Sequence, residues 1–168
     1  MIRPGTALDI NATVDLLAEF YAASHYARTG AAAIDRAYAK ELLLTSLFYQ
    51  GKATEGATWF EVAERDGRIV GLMLARLTRV YVIGDRLMAS DVLFVVNRQA
   101  GLADAPTLAL NMLGWARSVP LCVEARCGTT AVIGDPERAG QMYSRLGMQR
   151  YGSLWRMEFE REPLCLAS

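Results

Sequence analysis

The sequence predicts an α+β domain, an antiparallel meander followed by helices alternating with strands, and three features of its 168 residues carry that reading. Asp66-Gly67 lies between two β-rich runs, and such a pair supplies the positive φ that closes a two-residue hairpin. Elsewhere, apolar residues recur at helical spacing. An apolar strand over 88–96 then passes through 97–105 into a helix, and a helix start carries unpaired backbone N–H groups that can converge on an anion.

Taken in order, residues 1–6 read as a short strand, and Asp9 offers an N-cap for a helix with Ile10, Val14, Leu17 and Tyr21 on one face. That helix is expected to end near Ser24. His25-Tyr26-Ala27-Arg28-Thr29-Gly30 reads as a polar, aromatic loop, and Asp35 caps a second helix through Tyr38, Leu42 and Leu43 to Phe48. Strands over 59–64 and 68–77 flank the Asp66-Gly67 turn, and a loop at Gly84-Asp85 leads to the 88–96 strand. Pro106 sits early in the next helix, where a missing N–H is tolerated, with Leu108, Met112, Leu113 and Trp115 as its apolar face and Pro120 at its close. Residues 121–125 are apolar enough for a buried strand. Asp135-Pro136 starts a last helix through Ala139, Met142, Tyr143 and Leu146, stopped by Gly147. Leu154 to Glu160 alternates as a final strand, with Trp155, Met157 and Phe159 on one face. Trp59, Trp115 and Trp155 read as core. The organisation is one domain over 1–162 with a tail at 163–168.

Bulk properties exclude several classes of function. Lys and Arg number 18 against 18 acidic residues, so the net charge is zero and no basic footprint for nucleic acid stands out. Cys122, Cys127 and Cys165 are odd in number, lack CxxC spacing and accompany a single histidine, which suggests neither a disulfide framework nor a metal site. No apolar run approaches the roughly 18 residues that span a bilayer. The expectation is a soluble, cytoplasmic protein without a membrane partner. An apolar content of 52% against 21% charged residues, with a mean hydropathy of +0.14, leaves apolar surface for a homo-oligomer or partner-protein interface.

This element order resembles the GNAT superfamily of acyl-CoA N-acetyltransferases across nearly the whole chain. Ile2-Arg3-Pro4 is similar to the family's opening strand, Val62 through the Asp66-Gly67 turn to Gly71 to its second and third, and Met142-Tyr143-Ser144-Arg145-Leu146-Gly147-Met148 to its late helix. Ser90-Asp91 before Leu93-Phe94-Val95, with Gly114-Trp115-Ala116 and Gly128-Thr129-Thr130, is similar to a branch common in phages and prophages. The resemblance implies a mixed, largely antiparallel sheet of about six to seven strands flanked by helices. It also implies a fourth strand splayed from the fifth, with acetyl-CoA as cofactor, its pantetheine arm along Val95 and Val96. The diphosphate would sit on Arg98-Gln99-Ala100-Gly101-Leu102-Ala103, which satisfies the family pattern Gln/Arg-x-x-Gly-x-Gly/Ala, so Arg98, Gly101 and Ala103 are its expected contacts. Small residues there let backbone N–H groups reach phosphate oxygens.

N-acetyl transfer needs a base for the amine proton and an acid for the leaving thiolate. Tyr143 matches the family's acid position. Glu124, on the presumed fifth strand beside the cleft, is the candidate base, and Asp91 on the fourth strand is its competitor. His25 and Tyr26 could line an acceptor pocket, whereas Cys122 and Cys127 read as buried thiols without a neighbouring base. The implied activity is direct transfer from acetyl-CoA to a small-molecule or protein amine. An alternative follows from Asp104, which adds negative charge where a diphosphate would dock, and from Pro106, which removes a donor from the first turn. On that reading the chain is a degenerate GNAT-fold protein without CoA binding, a structural or interaction component such as part of a phage particle or a host-modulating protein.

Overall fold

The computed structural model describes residues 1–129 and 135–157. Five strands, β1 (Ile2–Pro4), β2 (Thr58–Arg65), β3 (Arg68–Arg79), β4 (Leu87–Val96) and β5 (Cys122–Arg126), form one sheet in the order β1-β2-β3-β4-β5. Neighbours from β1 to β4 are antiparallel and β5 runs parallel to β4, so the sheet is mixed as expected. Among the described residues five α-helices accompany it: α1 (Ile10–Ala22), α2 (His25–Thr29), α3 (Arg36–Phe48), α4 (Asp104–Ser118) and α5 (Pro136–Arg145).

Local chemistry explains most boundaries. Asp66 and Gly67 take φ of 49° and 74°, the paired left-handed conformation of a type I′ turn between β2 and β3. The Asp35 carboxylate accepts from Tyr38 N–H at 2.9 Å to start α3. Asp135 does the same for α5, accepting from Glu137 and Arg138 at 3.0 and 3.2 Å, with Pro136 behind it. Gly147 at φ 83° ends that helix, and Met148 N–H returns to Tyr143 C=O at 3.0 Å.

The sheet separates two apolar layers. On one face Val14, Leu17 and Leu43 of α1 and α3 pack with Phe60, Val62, Leu72, Leu74 and Val95. On the other, Leu108, Met112 and Trp115 of α4 and Tyr143 of α5 pack with Met73, Leu77, Leu87 and Ala89. Trp59 and Trp115 stack here with ring centroids 5.7 Å apart, in keeping with their reading as core.

Four expectations are corrected. The sheet has five strands among the described residues rather than six to seven, because 154–157 lie outside it; the rest of the expected last strand, 158–160, falls outside the described residues. Alternation fits a segment for a sheet, but a strand also needs a ladder partner. Trp155 is accordingly 94% exposed and not core. The stretch from His25 is the helix α2 and not a loop, since Ser24 Oγ accepts from Ala27 N–H at 3.3 Å and Gly30 closes it at φ 71°. Finally, Asp9 precedes α1 without a side-chain cap bond. Its carboxylate instead accepts from Thr6 N–H at 2.8 Å and from both Arg3 terminal nitrogens at 2.7 and 2.8 Å, tying β1 to the turn that enters α1.

Candidate active site

The register of β4 creates the site. Its pairing with β5 runs only from Leu87 opposite Cys122 to Ser90 opposite Arg126, whereas its pairing with β3 continues to Val96. Beyond Ser90 the two parallel strands part. Asn97 N–H donates to Val70 C=O at 2.8 Å, so by the alternation of an antiparallel ladder the backbone groups of Val95 point to β3. Those of Phe94 and Val96 face the gap. A row of N–H and C=O groups along a cleft is what an extended amide-bearing chain pairs with.

A bulge decides which side chains meet there. Leu74 pairs with Leu93 and Ala75 with Asp91, which makes Val92 an extra residue on β4. Unbroken alternation would put Asp91 and Phe94 on opposite faces; the inserted residue puts them on the same one. Both therefore face α5. The Phe94 and Tyr143 rings lie 6.4 Å apart, and Asp91 Oδ1 accepts from Gly128 N–H at 2.9 Å, clasping β4 to the chain just past β5.

Three titratable groups meet at this clasp. Tyr143 is 6% exposed, and Cys127 and Asp91 are the titratable groups that act on its hydroxyl. Burial, with the charges of Cys127 and Asp91 next, holds the phenol far above its ordinary range, so it keeps its proton at neutral pH. The Cys127 thiol is pushed up to about 12, first by burial and then by Asp91. Asp91 is itself raised by burial, against the opposing bond from Gly128 N–H. Tyr143, Asp91 and Cys127 thus form one half-buried cluster at the base of the gap.

Glu124 lies elsewhere in its interactions. It sits on β5 opposite Met88, within the paired part of β4 and β5, and its carboxylate is bound to the Arg126 guanidinium. Arg126 lies between the Tyr81 and Tyr151 rings, 5.4 and 4.8 Å from their centroids. His25 and Tyr26 meet edge to face on α2. Cys122 is half-buried on β5, Cys165 lies outside the described residues, and no metal-binding group of three or more acidic, His or Cys residues occurs among the described residues.

The segment after β4 folds back on itself. Arg98 is exposed, Leu102 is 91% exposed, and Ala103 immediately precedes α4. Gly101 N–H donates to Asp104 Oδ2 at 2.7 Å, and Asp104 N–H returns to Gly101 C=O at 3.0 Å. Arg65, at the end of β2, grips the same carboxylate with two bonds, Nη2 to Oδ1 at 2.7 Å and Nε to Oδ2 at 3.1 Å. Asp104 is 4% exposed, and the Arg65 and Gly101 bonds hold its acid below the ordinary carboxylate range. A Cβ on Gly101 would stand 2.5 Å from Arg65 Nη2, so any larger residue would push the guanidinium from its present place.

No protein-family model matches the sequence, and no curated protein matches it. Solved structures do match the fold over nearly its full length. The ribosomal-protein-alanine N-acetyltransferase of Brucella melitensis biovar Abortus 2308 superposes with a TM-score of 0.62 at 19% identity, covering 95% of this chain and 99% of that one. An aminoglycoside 6′-N-acetyltransferase from Acinetobacter haemolyticus gives 0.65 at 15%, covering 96% and 99%. Glucosamine-6-phosphate N-acetyltransferase of Arabidopsis thaliana gives 0.66 at 12%, covering 95% and 98%. The chain has the GNAT fold.

Within that fold, the backbone groups of Phe94 and Val96 face the gap beyond Ser90. The loop after β4 turns its Gly101 N–H to Asp104, which Arg65 also holds. Arg65 escapes a reading of the sequence because its partner is 39 residues away. A signal existed nonetheless: if β2 and β3 form a hairpin and β3 pairs with β4, the 66–67 turn must lie beside the end of β4.

Proposed function

We propose that the protein is an acetyl-CoA-dependent N-acetyltransferase that moves an acetyl group to an amine by direct transfer. The observation that carries the reading is the parting of β4 from β5 after Ser90, with Asp91, Cys127 and Tyr143 gathered where the strands separate. Acetyl-CoA, when bound, supplies the activated acetyl group. Phe94 and Val96 present backbone donors and acceptors along the gap, and Arg98, Gly101 and Ala103 lie at the end where a diphosphate would rest. Tyr143, protonated by its burial, is suited to return a proton to the departing thiolate. Asp91 replaces Glu124 as the preferred base in this reading, because it shares the cluster with Tyr143 whereas Glu124 is committed to Arg126. Cys127, raised by burial, keeps its proton beside them.

The Asp104 to Gly101 bond favours one other reading, a GNAT-fold protein that has lost CoA and serves as a structural or interaction component, in a phage particle for instance. Titration calorimetry with acetyl-CoA, followed by transfer assays on a panel of small amines and peptides, separates the two. Binding at micromolar to sub-millimolar ligand with turnover supports the enzyme. A folded protein that binds nothing at millimolar acetyl-CoA sinks it.

A further inference from the structure

We propose that Asp104 is an internal stand-in for the cofactor's diphosphate, and that Arg65, contributed by the β2–β3 hairpin, is the diphosphate-binding side chain it holds in place. The inference rests on the acetyltransferase reading for the identity of the ligand, but its residues and its test are separate.

Asp104 does what a phosphate would do at this point. Its Oδ2 accepts from Gly101 N–H at 2.7 Å and from Arg65 Nε at 3.1 Å, while Oδ1 accepts from Arg65 Nη2 at 2.7 Å. A two-bond fork to a planar guanidinium beside a backbone N–H is the recognition pattern shared by carboxylates and phosphates. The guanidinium lies directly over the Gly101 backbone, where a Cβ would stand 2.5 Å from Nη2. Asp104 is buried while the Arg65 side chain is 45% exposed, so the cation is reachable from outside and the carboxylate is not. A cavity of about 420 Å³ opens on the exposed side, lined by Arg65, Asp66, Arg68, Val70 and Gln99. An arriving diphosphate therefore meets Arg65 and Arg68 first, and must displace one carboxylate to reach Gly101 N–H.

The same atoms explain how the loop holds its shape without ligand. A guanidinium and a glycine N–H left facing each other would lack an acceptor; Asp104 supplies it. The consequence is competition. Each diphosphate bound exchanges an intramolecular anion for an external one, which lowers apparent affinity relative to a loop without the carboxylate.

The test compares wild type with Asp104→Asn, Arg65→Gln and the double variant, each checked for folding by circular dichroism and titrated calorimetrically with acetyl-CoA and separately with inorganic pyrophosphate. Asp104→Asn is expected to bind both ligands at least tenfold more tightly than wild type, and Arg65→Gln in that background to cancel the gain. Equal or weaker binding by Asp104→Asn overturns the inference; if wild type still binds acetyl-CoA, the acetyltransferase reading survives it. Binding by Asp104→Asn alone supports the inference and refutes CoA use by the wild type. Should Asp104→Asn fail to fold, the amide resonance of Gly101 in the wild type decides: a shift on adding pyrophosphate supports displacement of Asp104, and an unchanged resonance at saturating acetyl-CoA overturns it.

Discussion

At the residue scale, Asp91 and Glu124 make opposite claims on the same role, and their surroundings separate them. A base must lose its proton and keep a free lone pair near the reacting amine. Glu124 spends its charge on Arg126, whereas Asp91 faces Tyr143 and Cys127 with one oxygen on Gly128 N–H. Asp91→Asn is expected to lower kcat about 10²- to 10⁴-fold, and Glu124→Gln less than about threefold. Because burial raises Asp91, activity is expected to climb with pH through a limb above the ordinary aspartate range, and Asp91→Asn removes that limb. A pH–rate profile of the two variants checks both statements. Tyr143→Phe keeps the ring against Phe94 but removes the proton donor. Its expected signature is a kcat loss of about 10²-fold or more with KM little changed, measured under steady-state conditions. Of these residues Tyr143 was legible from the sequence, since a local helix motif ending at Gly147 marks it. The sequence put Glu124 ahead of Asp91, and the order proposed here is the reverse, because it depends on the Arg126 pairing and on the bulge at Val92, neither of which follows from alternation.

At the scale of elements, what could be read was what neighbours in sequence decide. Asp66-Gly67 sets its own turn, and Asp35 and Asp135 cap helices within three residues of themselves. What could not be read depended on distant partners. Asp9 has the composition of a cap, but Arg3, itself bound to Glu64 from β2, takes its carboxylate first. The 154–160 segment has the alternation of a strand, yet 154–157 stand clear of the sheet. Gly5 shows the same dependence: it follows β1, donates to Phe60 C=O at 3.0 Å, and a Cβ on it would lie 2.3 Å from the Phe60 ring. Phe60 is fully buried, so the ring cannot swing aside without disturbing the layer beneath α1. Gly5→Ala is expected to cost about 1–3 kcal/mol, read as a lowered denaturation midpoint at unchanged slope.

At the scale of the whole molecule, buried acids of opposite tendency shape the dependence of stability on pH. Asp9 is lowered from the ordinary 3.8 to about 2, chiefly by its bonds to Arg3. Asp104 is lowered in the same direction by Arg65. A lowered acid stabilises the fold above its unfolded value and loses that contribution as pH falls through the folded one, so the Asp9 share, about 2 kcal/mol, disappears between about pH 4 and pH 2. Glu61 and Asp91 act the other way. Glu61 is 6% exposed on β2, receives Asn111 Nδ2–H at 2.9 Å and is raised by burial; Asp91 is raised for the same reason. A raised acid favours folding below its unfolded value and penalises it as pH rises through the folded one. The lowered pair loses its contribution below the ordinary carboxylate range and the raised pair begins to cost stability above it, so the four acids together place the optimum at that range. Glu61→Gln keeps an oxygen for Asn111 but never ionises, so it is expected to leave Tm near that optimum unchanged and raise it by about 2–4 °C at pH 7, for a gain on the order of 1 kcal/mol. Melting curves of both proteins from pH 3 to 8 decide the matter. Superimposable pH dependences would show that Glu61 does not carry the alkaline decline, and a lower Tm for Glu61→Gln at pH 7 would show that its charge is stabilised where it lies.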